Sequence, residues 1–104
     1  MIAPLLALAM AASPAEALDR ATADYRSCLD RVMATKHRAK APQAEFDAAM
    51  ERSCGSQAEA MRRAIVEDDL ASGVTRAEAE RNATVEVADM AALFRTTYRF
   101  LKSN

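Results

Sequence analysis

The chain has 104 residues, of which 14 are basic and 15 acidic, giving a formal net charge of −1 at neutral pH. This length allows one domain, and the balanced charge argues against nucleic acid as a partner, because phosphate binding needs a concentrated basic face. With 51% hydrophobic residues, no Trp, two Gly and three Pro, the composition favours long helices around a thin core.

The first 17 residues, MIAPLLALAMAASPAEA, differ in composition from the rest of the chain. They carry one charge, Glu16, and residues 2–12 form an uninterrupted apolar run. Such a run matches the core of a secretory signal and is shorter than the roughly 20 residues that a membrane-spanning helix needs. Residues 1–17 are therefore predicted to be a cleavable signal peptide, cut between Ala17 and Leu18, where Ala15 and Ala17 supply the small residues that signal peptidase reads.

One feature departs from the signal pattern, because no Lys or Arg precedes the apolar run. A buried N-terminal helix and an uncleaved membrane anchor are the two alternatives. The signal interpretation predicts an exported protein, periplasmic or secreted, with the bacterial periplasm favoured.

Residues 18–104 are predicted to form a single helical domain, with helices over about 18–40, 42–71 and 75–102. The first helix is indicated by apolar residues at steps of three and four, namely Leu18, Tyr25, Cys28, Leu29, Val32 and Met33. Ala41-Pro42 marks its end, since a residue before proline is biased away from helix while proline suits a first turn.

The second helix has an apolar stripe that runs without a break through Gly55, at Phe46, Met50, Cys54, Ala58, Met61 and Ile65. Gly55-Ser56 also has the form of a helix stop. The unbroken stripe favours one long helix, with a kink at Gly55 as the open question.

Ser72-Gly73 is predicted to end the second helix, and Thr75 with Glu78 has the form of a capping box that opens the third. Its apolar positions are Val87, Met90, Ala91, Phe94, Tyr98 and Leu101. The predicted fold class is all-α: an antiparallel helical hairpin stapled by one disulfide, with a third amphipathic C-terminal helix completing a small three-helix bundle.

The disulfide is predicted between the only two cysteines, Cys28 and Cys54, whose midpoint is Ala41. A hairpin that turns at Ala41 places them directly opposite each other. Charge agrees, because residues 19–41 contain six basic and three acidic residues, a net of +3, whereas residues 42–70 contain three basic and seven acidic, a net of −4. An exported, oxidising compartment permits this disulfide. In the alternative, both cysteines are reduced and act as small buried hydrophobic side chains.

No catalytic, metal-binding or cofactor-binding set is predicted. His37 is the only histidine and lies among Lys36, Arg38 and Lys40, without a nucleophile or carboxylate at a suggestive spacing. Glu67, Asp68 and Asp69 are consecutive, so on a helix they point in different directions, and the methionines on the apolar stripes are expected to fill the core. An enzyme is therefore not expected.

The C-terminal sequence FRTTYRFLK combines basic and aromatic residues and is the candidate interaction surface. Its proposed members are Phe94, Arg95, Tyr98, Arg99, Phe100 and Lys102. We expect a non-enzymatic protein-binding or structural module with an unidentified protein partner and an oligomeric state that the sequence leaves open. The alternatives are a small-ligand or metal carrier of the exported compartment, and a protein held at a membrane surface by its C-terminal helix, which is the less favoured contact.

Overall fold

The computed structural model describes residues 12–103, which form three helices. These are α1 (Pro14–Arg38), α2 (Gln43–Ala71) and α3 (Arg76–Ser103), and no strand occurs in this part of the chain. The all-α fold class is confirmed. Residues 1–11 of the predicted signal peptide lie outside the described residues.

Helix α1 begins at Pro14, four residues before the predicted start. Ser13 is the N-cap, and its hydroxyl oxygen accepts a hydrogen bond from the Glu16 N–H at 3.1 Å. Proline is favoured in the first turn because its missing N–H would have no helical partner there. The predicted cleavage position between Ala17 and Leu18 therefore lies in the first turn of α1, and the signal peptide itself stays a prediction.

The turn between α1 and α2 closes α1 with a Schellman motif. The Ala41 N–H donates to the Lys36 carbonyl at 2.9 Å and the Lys40 N–H to the His37 carbonyl at 3.0 Å. Lys40 has a φ of 56°, a left-handed conformation that costs a non-glycine residue roughly 1 kcal/mol. The next residue, Ala41, is buried, so the turn packs against the rest of the bundle at that position.

Helices α1 and α2 pack closely and are joined by the Cys28–Cys54 disulfide, as predicted. The two Cα atoms are 5.8 Å apart, and both side chains are buried. Nearer the turn, the Lys36 ammonium forms an ion pair with the Glu45 carboxylate at 3.1 Å. The bond and the ion pair together hold α1 against α2 over the half of the hairpin next to the turn.

Helix α2 continues through Gly55 to Ala71, as the unbroken stripe indicated. It ends at a second Schellman motif, in which Gly73 has a φ of 88° and the Val74 N–H donates to the Asp69 carbonyl at 3.0 Å. The hydroxyl oxygen of Thr75 then accepts from the Glu78 N–H at 3.3 Å, which is the N-cap half of the predicted capping box.

Helix α3 packs mainly on α2 and makes fewer contacts with α1. The core contains Tyr25, Leu29, Phe46, Met50, Cys54, Met61, Ile65, Val66, Ala79, Ala83, Phe94 and Tyr98, among others. None of the helices in residues 12–103 combines the length and the hydropathy needed to cross a membrane.

Candidate functional site

Tyr98 fixes the C-terminal half of α3 to the hairpin. Its ring is fully buried and stacks on Phe46, with ring centroids 4.2 Å apart and planes 9° from parallel. Its hydroxyl donates a hydrogen bond to the Ala41 carbonyl oxygen at 2.5 Å. One side chain of α3 therefore contacts both α2 and the turn between α1 and α2.

Two further polar contacts hold α3 at this end of the molecule. The Lys102 ammonium donates to the same Ala41 carbonyl at 2.8 Å. The Gln43 amide donates to the Arg95 carbonyl at 3.2 Å and to the Asp47 carboxylate at 3.0 Å. These contacts hold the backbone of α3 against the turn. The outward-facing side chains of α3 therefore project from a backbone that is fixed in position.

Burial perturbs the ionisation of both tyrosines in the core. It raises the pKa of Tyr98 above the usual value, and the negative charge of Glu45 raises it further. Burial also raises the pKa of the Tyr25 hydroxyl, although the nearby Arg95 charge opposes part of that effect. Both hydroxyls are therefore neutral at physiological pH.

The structure divides the predicted interaction surface between core and solvent. Phe94 and Tyr98 are buried, and their inclusion in that surface is corrected: they belong to the stripe by which α3 docks on the hairpin. Arg95 is partly buried, while Arg99, Phe100 and Lys102 are exposed. Phe100, off the docking stripe, is 68% exposed.

Two exposed apolar residues of α3 lie outside the predicted interaction surface. Val85 is 57% and Leu93 is 62% exposed. Together with Phe100 they recur at intervals of eight and seven residues, close to two helical turns, and therefore lie on the same side of α3. This spacing is visible in the sequence and could have predicted that these residues share one side of the helix. We call Val85, Leu93 and Phe100 the outer stripe.

Charge is segregated along the length of the bundle. The end that contains the α1–α2 turn, formed by residues 26–55 and 90–103, carries nine basic and four acidic residues, a net of +5. The opposite end, formed by residues 14–25 and 56–89, carries five basic and eleven acidic residues, a net of −6. The overall charge of −1 thus conceals two ends of opposite sign.

Two of the depressions in residues 12–103 lie beside the α1–α2 turn and the disulfide. A cleft of about 410 Å³ at the basic end is lined by His37, Lys40, Leu101 and Lys102; the His37 ring stands edge-on to Tyr98 with centroids 6.4 Å apart. A smaller groove of about 220 Å³ lies beside the disulfide, with Tyr25 and Met50 in its wall. Its volume is below the ~300–1,000 Å³ typical of small-molecule pockets.

The predicted acidic cluster is not gathered into a ligand set. Asp69 accepts a hydrogen bond from the Asn82 amide at 3.2 Å, whereas Glu67 is exposed. Within residues 12–103, no three His, Cys, Asp or Glu side chains converge as metal ligands.

The protein is therefore a small three-helix bundle with one disulfide and an exposed apolar stripe on α3. Comparison of the chain with protein-family models, curated proteins and solved structures finds no match.

Proposed function

We propose that this protein is a non-enzymatic module of an exported compartment, namely the bacterial periplasm. The module acts by binding protein through the outer stripe of α3. The observation that carries the proposal is that the large exposed apolar side chains of residues 12–103 all lie on this one helix. Large apolar side chains that share one exposed side of a helix offer apolar area that a partner can cover.

The support beneath the stripe also favours a binding role. Tyr98 and Lys102 both donate to the Ala41 carbonyl, so the helix that carries the stripe is held in place before any partner arrives. A preorganised surface loses less conformational entropy on binding than a mobile one. The disulfide supports the exported location, because disulfides persist in oxidising compartments and are rare in the cytosol.

The test is site-specific photo-crosslinking in the protein's own host. A photoreactive phenylalanine analogue replaces Leu93 in one variant and Ala77, an exposed residue of α3 outside the stripe, in the matched control. We expect a discrete covalent adduct with a polypeptide from position 93 and none from position 77. No polypeptide adduct at position 93, or equal adducts from both, would contradict the proposal.

A second candidate is association with an anionic membrane surface, and it is favoured by the exposure of Phe100 within the end of net charge +5. Basic residues beside an exposed aromatic side chain suit an anionic lipid interface. Co-sedimentation with phosphatidylglycerol vesicles that is lost in Phe100→Ser would support this candidate. Equal co-sedimentation of the two proteins, or none, would remove it.

A further inference from the structure

The outer stripe has the spacing of a surface that complements itself. Val85 and Phe100 lie at equal distances along the sequence from the point between Ala92 and Leu93. If a second α3 runs antiparallel across that point, Val85 of each copy lies opposite Phe100 of the other at both ends. The two Leu93 side chains then meet beside the two-fold axis.

Polar residues between the apolar positions fit the same register. Asp89 and Thr96 are exposed and are also equally spaced about the midpoint, so each Asp89 would lie opposite the Thr96 of the other copy. A threonine hydroxyl can donate a hydrogen bond to a carboxylate. Asp89, which lies on the same side of α3 as the outer stripe, would therefore face a donor.

Charge complementarity selects the antiparallel direction independently. Within α3, residues 76–89 carry two basic and four acidic residues, a net of −2, whereas residues 90–103 carry three basic and no acidic residues, a net of +3. An antiparallel pair places each basic half against an acidic half, and the +5 and −6 ends of the two bundles follow the same pairing. A parallel pair would place like charges together, which is unfavourable.

We propose that the outer stripe is the interface of an antiparallel homodimer, so that the protein which covers α3 is a second copy of this chain. The inference rests on the proposed function, in which this face of α3 contacts protein. The contact uses the same patch on both subunits and closes on itself, which buries the outer stripe of both copies at once.

The test uses the full purified chain with the photoreactive analogue at Phe100. We expect a covalent dimer whose yield rises with protein concentration and in which residue 100 is attached to the tryptic peptide 82–95 of the second copy. Attachment to residues 96–103 of the second copy would indicate a parallel arrangement and overturn the proposal. A chain that stays monomeric over the whole concentration series would also overturn it.

A pair of variants separates the interface from the fold. Leu93→Lys places two like charges beside the two-fold axis and should abolish the dimer in sedimentation velocity while leaving the helical circular dichroism unchanged, since residue 93 is exposed. Ala77→Lys adds the same charge at an exposed position of α3 outside the outer stripe, and should dimerise normally. Dimerisation of Leu93→Lys at the wild-type level would contradict the proposal.

The same experiments distinguish failure of this inference from failure of the proposed function. If the purified chain is monomeric but position 93 crosslinks to a different polypeptide in the host, the homodimer is wrong and the binding module stands. If neither experiment yields a polypeptide adduct, both proposals are wrong.

Discussion

The Tyr98 hydroxyl and the Ala41 carbonyl oxygen are 2.5 Å apart, although the two residues are 57 positions apart in the chain. This hydrogen bond joins the last helix to the turn of the hairpin, and Lys102 donates to the same oxygen from one helical turn further on. The buried Ala41 carbonyl is therefore the acceptor that fixes the C-terminal half of α3, and with it the outer stripe.

Removing both hydrogen-bond donors to the Ala41 carbonyl should lower the free energy of unfolding by more than the sum of the two single losses. Tyr98→Phe keeps the stack on Phe46 and loses one hydrogen bond, so we expect a loss of about 1 kcal/mol in the free energy of unfolding. Lys102→Met should cost a similar amount or less. The double variant leaves a buried carbonyl without either donor, and its loss should exceed the sum of the single losses. Urea unfolding measures all three, and additive losses would contradict this role for Ala41.

Stability should decline at alkaline pH because of the buried tyrosines. The pKa of Tyr98 is raised by burial and by Glu45, so the folded state holds the phenolic proton more tightly than the unfolded state does. Its contribution is fully present below the unfolded-state pKa of about 10 and is lost as pH rises through the higher folded-state pKa. Tyr25 acts in the same direction.

Comparison of wild type with Tyr98→Phe isolates the Tyr98 part of this dependence, because the two proteins differ only in that phenolic hydroxyl. Urea unfolding between about pH 8 and about pH 11 should show a shallower alkaline decline in Tyr98→Phe than in wild type. Identical slopes would mean that ionisation of Tyr98 is not coupled to folding.

The disulfide should supply a large share of the stability. It closes a loop with a sequence separation of 26, for which the chain-entropy model gives about 3.5 kcal/mol. The Cys28→Ala, Cys54→Ala double variant should therefore lose about that amount, plus a smaller cost for the two missing sulfur atoms in the core. Thermal unfolding of the variant and of the wild-type protein with and without reductant measures the effect. A loss below about 1 kcal/mol would contradict a stapling role.

The two glycines should respond in opposite directions to the same substitution. Gly55 lies inside α2 with nothing within 4 Å of an added Cβ, so Gly55→Ala should stabilise by about 0.5–1 kcal/mol. Gly73 has a φ of 88°, a conformation that alanine adopts at a cost, so Gly73→Ala should destabilise by about 1 kcal/mol. Each variant is the control for the other in thermal unfolding. Destabilisation by Gly55→Ala would indicate that α2 needs flexibility at that point.

The hairpin could be predicted because its determinants are regular along the sequence. The apolar stripes repeat at helical spacing, and the midpoint of Cys28 and Cys54 falls at Ala41, beside a proline. These local and symmetric features define the register of α1 against α2 without any knowledge of α3. The cap at Thr75 was also predictable, since the capping box is a contact between residues three apart.

The attachment of α3 could not be predicted in the same way. Whether Tyr98 reaches Ala41 depends on the register of α3 along α2. No pair of residues comparable to the two cysteines indicates that register in the sequence. For the same reason Phe94 and Tyr98 entered the predicted surface although they are core residues. Helix α1 begins at Pro14 rather than at Leu18, because Ser13 caps the helix and Pro14 occupies its first turn.

The most direct test of the account is intact mass spectrometry of the protein recovered from its own host after free thiols have been trapped with an alkylating reagent. An exported, disulfide-stapled bundle predicts a chain that begins at Leu18, carries no trapped thiol and has a mass two hydrogens below the reduced value. A chain that retains Met1 and carries two trapped thiols would contradict both export and the Cys28–Cys54 bond in the living cell.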